Sequence, residues 1–322
     1  MNILVTGGSG FIGSNFLIYM VQKYPNYNFI NLDALTYSGN LNNLADIESK
    51  SNYSFIRGNI EDKDAIDKLF SENQFDIVVN FAAESHVDRS LIDPSVFLKT
   101  NILGTQVLMD LSLKHNVQLF HQVSTDEVYG DLPLNKPELK FTESTPLHAS
   151  SPYSASKASA DLLALSYHRT FGLPLTISRC SNNYGPYQFP EKLIPLVITK
   201  ALKKEKIPVY GNGKNVRDWI FVGDHCEAID LIIHKPIYGN IFNIGGNQEI
   251  NNLSLVKIIL SKLNQSFDLI EFVEDRKGHD LRYAIDCKKI YSAYGWKAKI
   301  GFDEGIDLTI HWYKNNFKKV IK

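Results

Sequence analysis

Asn2-Ile3-Leu4-Val5-Thr6-Gly7-Gly8-Ser9-Gly10-Phe11-Ile12-Gly13 decides the fold. The continuous apolar run 3–5 makes a short strand buried on both faces. The glycines that follow let the chain turn tightly into a helix over 11–23, with backbone N–H groups directed at whatever sits on its first turn. Further apolar runs rich in Val, Ile and Phe mark strands at 29–32, 55–56, 77–80, 119–123, 175–178 and 240–244. Helical spacing covers 63–71, 94–115 and 153–171. Strands alternating with helices predict an α/β fold, a doubly wound parallel sheet of Rossmann type. Beyond residue 180, Gly185-Pro186, Phe189-Pro190 and Gly211-Asn212-Gly213 break the chain into shorter elements. Residues 1–180 are therefore expected to form the sheet domain, with 215–250 partly returning to it. The smaller, interleaved C-terminal domain takes most of 181–322.

A helix N-terminus behind a glycine turn suits a pyrophosphate. Asp33 ends the second strand about 20 residues after Gly13, where a carboxylate accepts hydrogen bonds from ribose hydroxyls and repels a 2′-phosphate. The expected cofactor is NAD rather than NADP.

Bulk properties remove other classes. The formal net charge of −1 gives no field to collect nucleic acid or to hold an anionic membrane. The hydrophobic share is 44%, yet no apolar run reaches the roughly 18 residues that span a bilayer. Cys180, Cys226 and Cys287 are too scattered for a zinc site or a disulfide framework, so no metal is expected and a reducing compartment fits best. The chain opens on a strand instead of a basic and apolar leader, and the expected location is the cytoplasm.

Two motifs carry chemistry. Tyr153 and Lys157 are four apart in a helical pattern and share a face, where an ammonium is expected to lower the phenol's pKa. Alone, this spacing occurs in many surface helices. Ser124-Thr125-Asp126-Glu127 follows the fifth strand, at the end where such sheets bind ligands. Two adjacent acids in a cleft can be divided by their surroundings into an acid and a base.

With these motifs in place, the chain resembles the extended short-chain dehydrogenase/reductases and, within them, the dTDP-glucose 4,6-dehydratases. Matching segments run nearly end to end: TGGSGFIGS, LTYSGNL, FAAESHVDRS, STDEVYG, YSASKAS, CSNNYGPYQFPEKLIP, YGNGKNVRDW, NIGG and DRKGHDLRYAID. The glycine loop and YxxxK belong to the whole superfamily, whereas Thr-Asp-Glu is the specific element. The resemblance implies catalytic roles for Thr125, Asp126, Glu127, Tyr153 and Lys157. It implies an NAD site of Gly7, Gly10, Phe11, Ile12, Gly13, Asp33, Ala34, Leu35, Thr36, Asn59, Ile60, Phe81, Ala82, Ala83, Thr100, Tyr153, Lys157 and Asn183. For the nucleotide sugar, dTDP-glucose or UDP-glucose, it implies Ser85, Thr125, Asn182, Glu191, Lys192, Leu193, Pro208, Val209, Tyr210, Arg217, Asn252, Asp275, Arg276 and His279. Arg217 and Arg276 also suit a diphosphate, because a guanidinium fork matches phosphate geometry.

Three departures stand out: Asn59 where the family has Asp, Lys277 where Pro is common, and a shorter 131–151 stretch. The resemblance further implies a homodimer through the helices at 94–115 and 153–171. A 4-epimerase on the same scaffold would need Tyr153 and Lys157 but no acid pair. A non-catalytic NAD-binding regulator would need neither.

Overall fold

The structure, a computed structural model, describes residues 1–275 and 278–320. Strand β1 (Asn2–Thr6) leads into α1 (Phe11–Lys23), followed by β2 (Asn28–Asp33), β3 (Tyr53–Arg57), α2 (Lys63–Glu72) and β4 (Ile77–Asn80). Next come α3 (Val87–Ile92), α4 (Pro94–Phe97), α5 (Thr105–Lys114), β5 (Leu119–Thr125), α6 (Pro152–Phe171) and β6 (Leu175–Cys180). The remainder is β7 (Asn182–Tyr184), α7 (Leu193–Lys203), β8 (Ile207–Tyr210), β9 (Val216–Phe221), α8 (Val222–His234), β10 (Asn240–Ile244), β11 (Glu249–Asn251), α9 (Asn252–Lys262), β12 (Ile270–Val273), α10 (Lys288–Tyr294) and α11 (Phe302–Val320).

Seven strands form one sheet in the order β10-β6-β5-β4-β1-β2-β3, every pair parallel. Side-chain alternation explains why these strands are apolar throughout. Leu4, Val78, Phe120 and Ile177 pack against α2, α5 and α6 on one face, while Ile3, Val5, Val79 and Leu119 pack against α1 and α8 on the other. The winding reverses between β1 and β4, which opens a crevice beyond their carboxyl ends. A second assembly packs a three-stranded sheet, β11-β9-β7, and the pair β12-β8 with α7, α9 and α11 around Tyr184, Ile198, Trp219, Ile259 and Ile306.

The helix expected over 94–115 is not continuous. It starts as α4, widens into a π-helical turn over Leu98–Gly104 and resumes as α5. The side chain of Asn101 in that turn reaches inward, accepting from the Glu84 N–H and donating to the Glu84 carbonyl and Ser156 Oγ. Gly104 lies so close to Ile60 that a Cβ there would come within 2.6 Å of it. Inward polar bonding and this close approach together account for the widened turn.

The face between α1 and α8 is tied by Asp230, which accepts from Lys23 Nζ at 2.6 Å and from Tyr19 and Tyr24 at 3.0 Å, and pairs with His234 Nδ1 at 2.8 Å. Burial pushes this carboxyl up, but the hydrogen bonds from His234, Lys23 and Tyr24 outweigh it and hold it at about 2. A depressed folded-state pKa stabilises above the unfolded value of about 3.9 and loses that contribution as pH falls toward the folded one. Asp230→Asn should therefore lower Tm at pH 7 by about 2–4 °C, the gap to wild type narrowing below pH 4. Thermal melts across that range check it; a gap independent of pH would contradict the ion-pair account.

Candidate active site

Gly7 takes φ +68°, and a Cβ on it would lie 2.6 Å from the backbone nitrogen of Ala82. Gly13 has its own constraint, since a Cβ there would meet the Gly7 carbonyl oxygen at 2.4 Å. The two strand ends and the first turn of α1 can close together only with glycine at both places. No side chain caps α1 at Gly10, so its first N–H groups face the cleft. Asp33, buried at the end of β2, accepts from Ser9 N at 2.9 Å and Leu35 N at 2.8 Å. Burial is also the main reason its carboxyl is raised above the ordinary range.

One cleft gathers Gly7, Gly10, Phe11, Ile12, Gly13 and Asp33 with Ala34, Thr36, Asn59 and Ile60. Phe81, Ala82, Ala83, Thr100 and Asn183 line the same cleft. Leu35 stands behind it, with φ +54° and its N–H given to Asp33. An uncapped helix start, a cradle without Cβ atoms and a carboxylate at the end of β2 together fit a dinucleotide.

The opposite wall carries the chemistry. Residues Thr125, Asp126, Glu127, Tyr153 and Lys157 all line this cleft. Strand β5 delivers the Thr-Asp-Glu triplet, whose backbone turns in a short 3-10 segment begun by Thr125, with its Oγ1 accepting from Glu127 N at 3.3 Å. Helix α6 presents Tyr153 and Lys157, its start fixed by a reciprocal cap between Ser151 and Ser154 with Pro152 in the first turn.

Asp126 is 1% exposed, and its Oδ2 has no hydrogen-bond partner among the described residues. Burial first, then the charges of Glu127 and Asp218, push its carboxyl well above the usual range, against the pull of Arg217. The surroundings of Asp126 thus favour its protonated form beside Glu127. This is the division into acid and base that two neighbouring carboxyls need.

Tyr153 departs from the sequence expectation. In the protein alone, burial and then the charge of Glu127 push its phenol well above the ordinary value. Lys157 Nζ donates to the Val123 carbonyl at 2.7 Å, and burial lowers its own pKa.

The residues expected around the sugar divide into two sets. Ser85, Asn182 and Lys192 line the same cleft, and Lys192 Nζ donates to the Ser85 carbonyl at 3.0 Å. Glu191 is paired with Arg89 at 3.2 Å and His86 at 3.4 Å, and Leu193 begins α7 against the second core. Pro208, Val209 and Tyr210 lie on β8; Val209 is buried in that core, whereas Tyr210 is 41% exposed. Arg217 is buried over the Tyr283 ring at 4.3 Å and donates to the Val216 and Asp280 carbonyls, close enough to Asp126 to act on its charge. Asn252 starts α9 with a buried Oδ1 that has no partner among the described residues. Asp275 and His279 pair at 2.6 Å. Arg276 and the Lys277 departure lie outside the described residues.

Sequence reading missed Glu84, Tyr37 and Phe189, which also line the cleft. Glu84 lies in the loop that leaves β4, four residues past Asn80, so the strand-end rule that picked out Thr125 would have found it. Tyr37 and Phe189 meet edge to face at 5.6 Å across the mouth, a pairing with no local signal. Among the described residues no group of His, Cys, Asp and Glu could hold a metal, and no helix is long and apolar enough to cross a membrane.

The model of the GDP-mannose 4,6 dehydratase family matches residues 4–309. A dTDP-glucose 4,6-dehydratase of Xanthomonas campestris pv. campestris is 48% identical, covering 97% of this chain and 93% of the relative. The crystal structure of dTDP-glucose 4,6-dehydratase from Bacillus anthracis in complex with NAD superposes with a TM-score of 0.93 at 49% identity, over 100% of both chains. DesIV, the dTDP-glucose 4,6-dehydratase of Streptomyces venezuelae with NAD and TYD bound, gives 0.95 at 44% identity, over 99% of this chain and 98% of that one. With the glycine cradle, the Thr-Asp-Glu turn and the Tyr-Lys helix face in one cleft, the chain belongs to the nucleotide-sugar 4,6-dehydratase family.

Proposed function

We propose that this protein removes water from dTDP-glucose, with NAD as resident cofactor, to give the 4-keto-6-deoxy sugar. The observation that carries the reading is the buried Asp126 carboxyl beside Glu127, its Oδ2 without a partner among the described residues, in the same dinucleotide cleft as Tyr153. Bound NAD would accept hydride from the sugar's C4 and return it at C6. Tyr153 takes the proton of the C4 hydroxyl, which Thr125 orients, and Lys157 supplies the positive charge that favours the phenolate. The 4-keto group acidifies C5–H. Glu127 removes that proton, while Asp126 protonates the C6 hydroxyl so that it leaves as water. Glu127 then returns its proton to C5. An acid and a base on adjacent residues, one buried and protonated, are what this elimination requires and an epimerisation does not.

Residues 1–180 with β10 would hold the cofactor, and 181–322 most of the nucleotide sugar. Arg217 would meet the diphosphate. A homodimer is proposed through the exposed apolar side chains of Leu91, Ile92, Leu98, Leu103 and Leu162, which lie along the segment from α3 to the π-helical turn and on α6. A cytoplasmic location fits the reading. The test is turnover of purified protein with dTDP-glucose and UDP-glucose separately, followed by mass. A product lighter by one water from dTDP-glucose, at the higher kcat/KM, is the expected result. Loss of water from UDP-glucose alone would reassign the nucleotide, and a galacto isomer without loss of water would overturn the dehydratase reading.

A further inference from the structure

Behind the Tyr-Lys pair lies a charged cluster that the mechanism above does not use. Asp161 sits one helical turn after Lys157 on α6, on the same face, and both are buried. Its Oδ2 accepts from Arg179 Nε of β6 and from Ser124 Oγ of β5, each at 2.9 Å. The Asp161 and Arg179 side chains are 0% and 2% exposed. Arg179 also lies over the Tyr129 ring at 4.8 Å, and Tyr129 donates to Asn243 Oδ1 at 2.7 Å. Burial pushes this carboxyl up, and the Arg179 guanidinium, the Lys157 charge and the Ser124 hydroxyl act against that rise.

We infer that Asp161 is a positioning residue that keeps Lys157 an ammonium in the dry interior behind the cleft, with Arg179 in turn keeping Asp161 ionised. A buried lysine without a counter-charge loses its proton. Among the described residues, the groups acting on the charge of Lys157 are Asp161 of the same helix and the Cys180 thiol of β6; Tyr153, Asp126 and Glu127 line the same cleft, and Arg179 is paired with Asp161. Asn101, the neighbour from the π-helical turn, is uncharged and bonds to Ser156. Burial lowers Lys157, and Asp161 is the main group acting against it. Asp126 is not among the groups that act on the charge of Lys157. Strand β5 joins the two halves of the arrangement: Ser124 binds Asp161, and the carbonyl of the preceding Val123 receives the Lys157 ammonium.

The inference rests on the dehydratase reading for the kcat measurement alone, because NAD affinity reports on Lys157 separately. The experiment measures kcat and the NAD dissociation constant, by calorimetry, from pH 6 to 9 in wild type, Asp161→Asn, Asp161→Glu and Arg179→Gln. Both quantities should worsen with rising pH as Lys157 loses its proton. In Asp161→Asn that decline should begin at least one pH unit earlier, giving about a tenfold deficit at pH 8 that shrinks toward pH 6. Asp161→Glu should restore the wild-type profile. Arg179→Gln leaves the carboxyl but removes the charge that keeps it ionised, and should move the decline to lower pH as well, by no more than Asp161→Asn does. Should Asp161→Asn fail to fold, the Asp161→Asn, Arg179→Gln double variant removes both buried charges and is expected to show the same early decline. An Asp161→Asn profile parallel to wild type at any level overturns the proposal, as does an Arg179→Gln decline that begins at higher pH than wild type. If wild type removes no water but the NAD profile shifts as described, the dehydratase reading falls and this proposal stands.

Discussion

The Asp126→Asn, Glu127→Gln double variant should eliminate water about 10⁴-fold more slowly than wild type while still oxidising its sugar at C4. Positioned acids and bases each contribute about 10²–10⁴, and two acting on one elimination do not add independently. Both substitutions leave Tyr153, Lys157 and the glycine cradle in place. An amide has the same shape as the carboxyl it replaces, so the local fold should stay intact. Rapid quenching and mass measurement separate the possible results. A nucleotide 4-ketoglucose that retains its C6 oxygen is expected; undiminished formation of the 4-keto-6-deoxy product would remove the acid pair from the mechanism.

Tyr153→Phe should stop the reaction one stage earlier. The aromatic ring, edge to face with Phe97 at 6.3 Å, is retained and only the hydroxyl is lost. The kcat is expected to fall by about 10³, within the range for removal of a proton acceptor. No oxidised sugar should accumulate, and NAD should bind as before. The two variants thus divide the reaction between two elements of one wall: α6 controls entry into the oxidised state, and the turn after β5 controls loss of water. Accumulation of ketosugar in Tyr153→Phe would contradict that division.

Much of this was legible in the chain because the governing signals are local. The glycine loop and Asp33 stand next to the strands that place them, and the 11–23 helix and the 77–80 and 240–244 strands fall where apolar spacing put them. The acid pair was legible because strand ends in this fold point into one crevice. What escaped depends on contacts between distant segments. The π-helical turn rests on Asn101 reaching Glu84 and Ser156, and helical spacing carries no trace of it. The interior placement of Val209 depends on α7 and α9 closing over β8, and the raised phenol of Tyr153 on how deeply α6 is covered. The Asp161–Arg179 pair joins a helix to a strand 18 positions along, and only packing shows that it is dry.

The edge position of β10 bears on how the chain comes together during synthesis. β6 is buried along its whole length, and one of its two neighbours is β10, which is read out only after β7, α7, β8, β9 and α8. Until residue 244 has left the ribosome, β6 presents an open row of amide and carbonyl groups to the surrounding medium, at a translation speed of about 5–20 residues per second. For several seconds the nascent dinucleotide half is therefore an unfinished sheet with an adhesive margin. A chaperone that recognises strand edges would find its substrate in that interval and lose it once β10 docks.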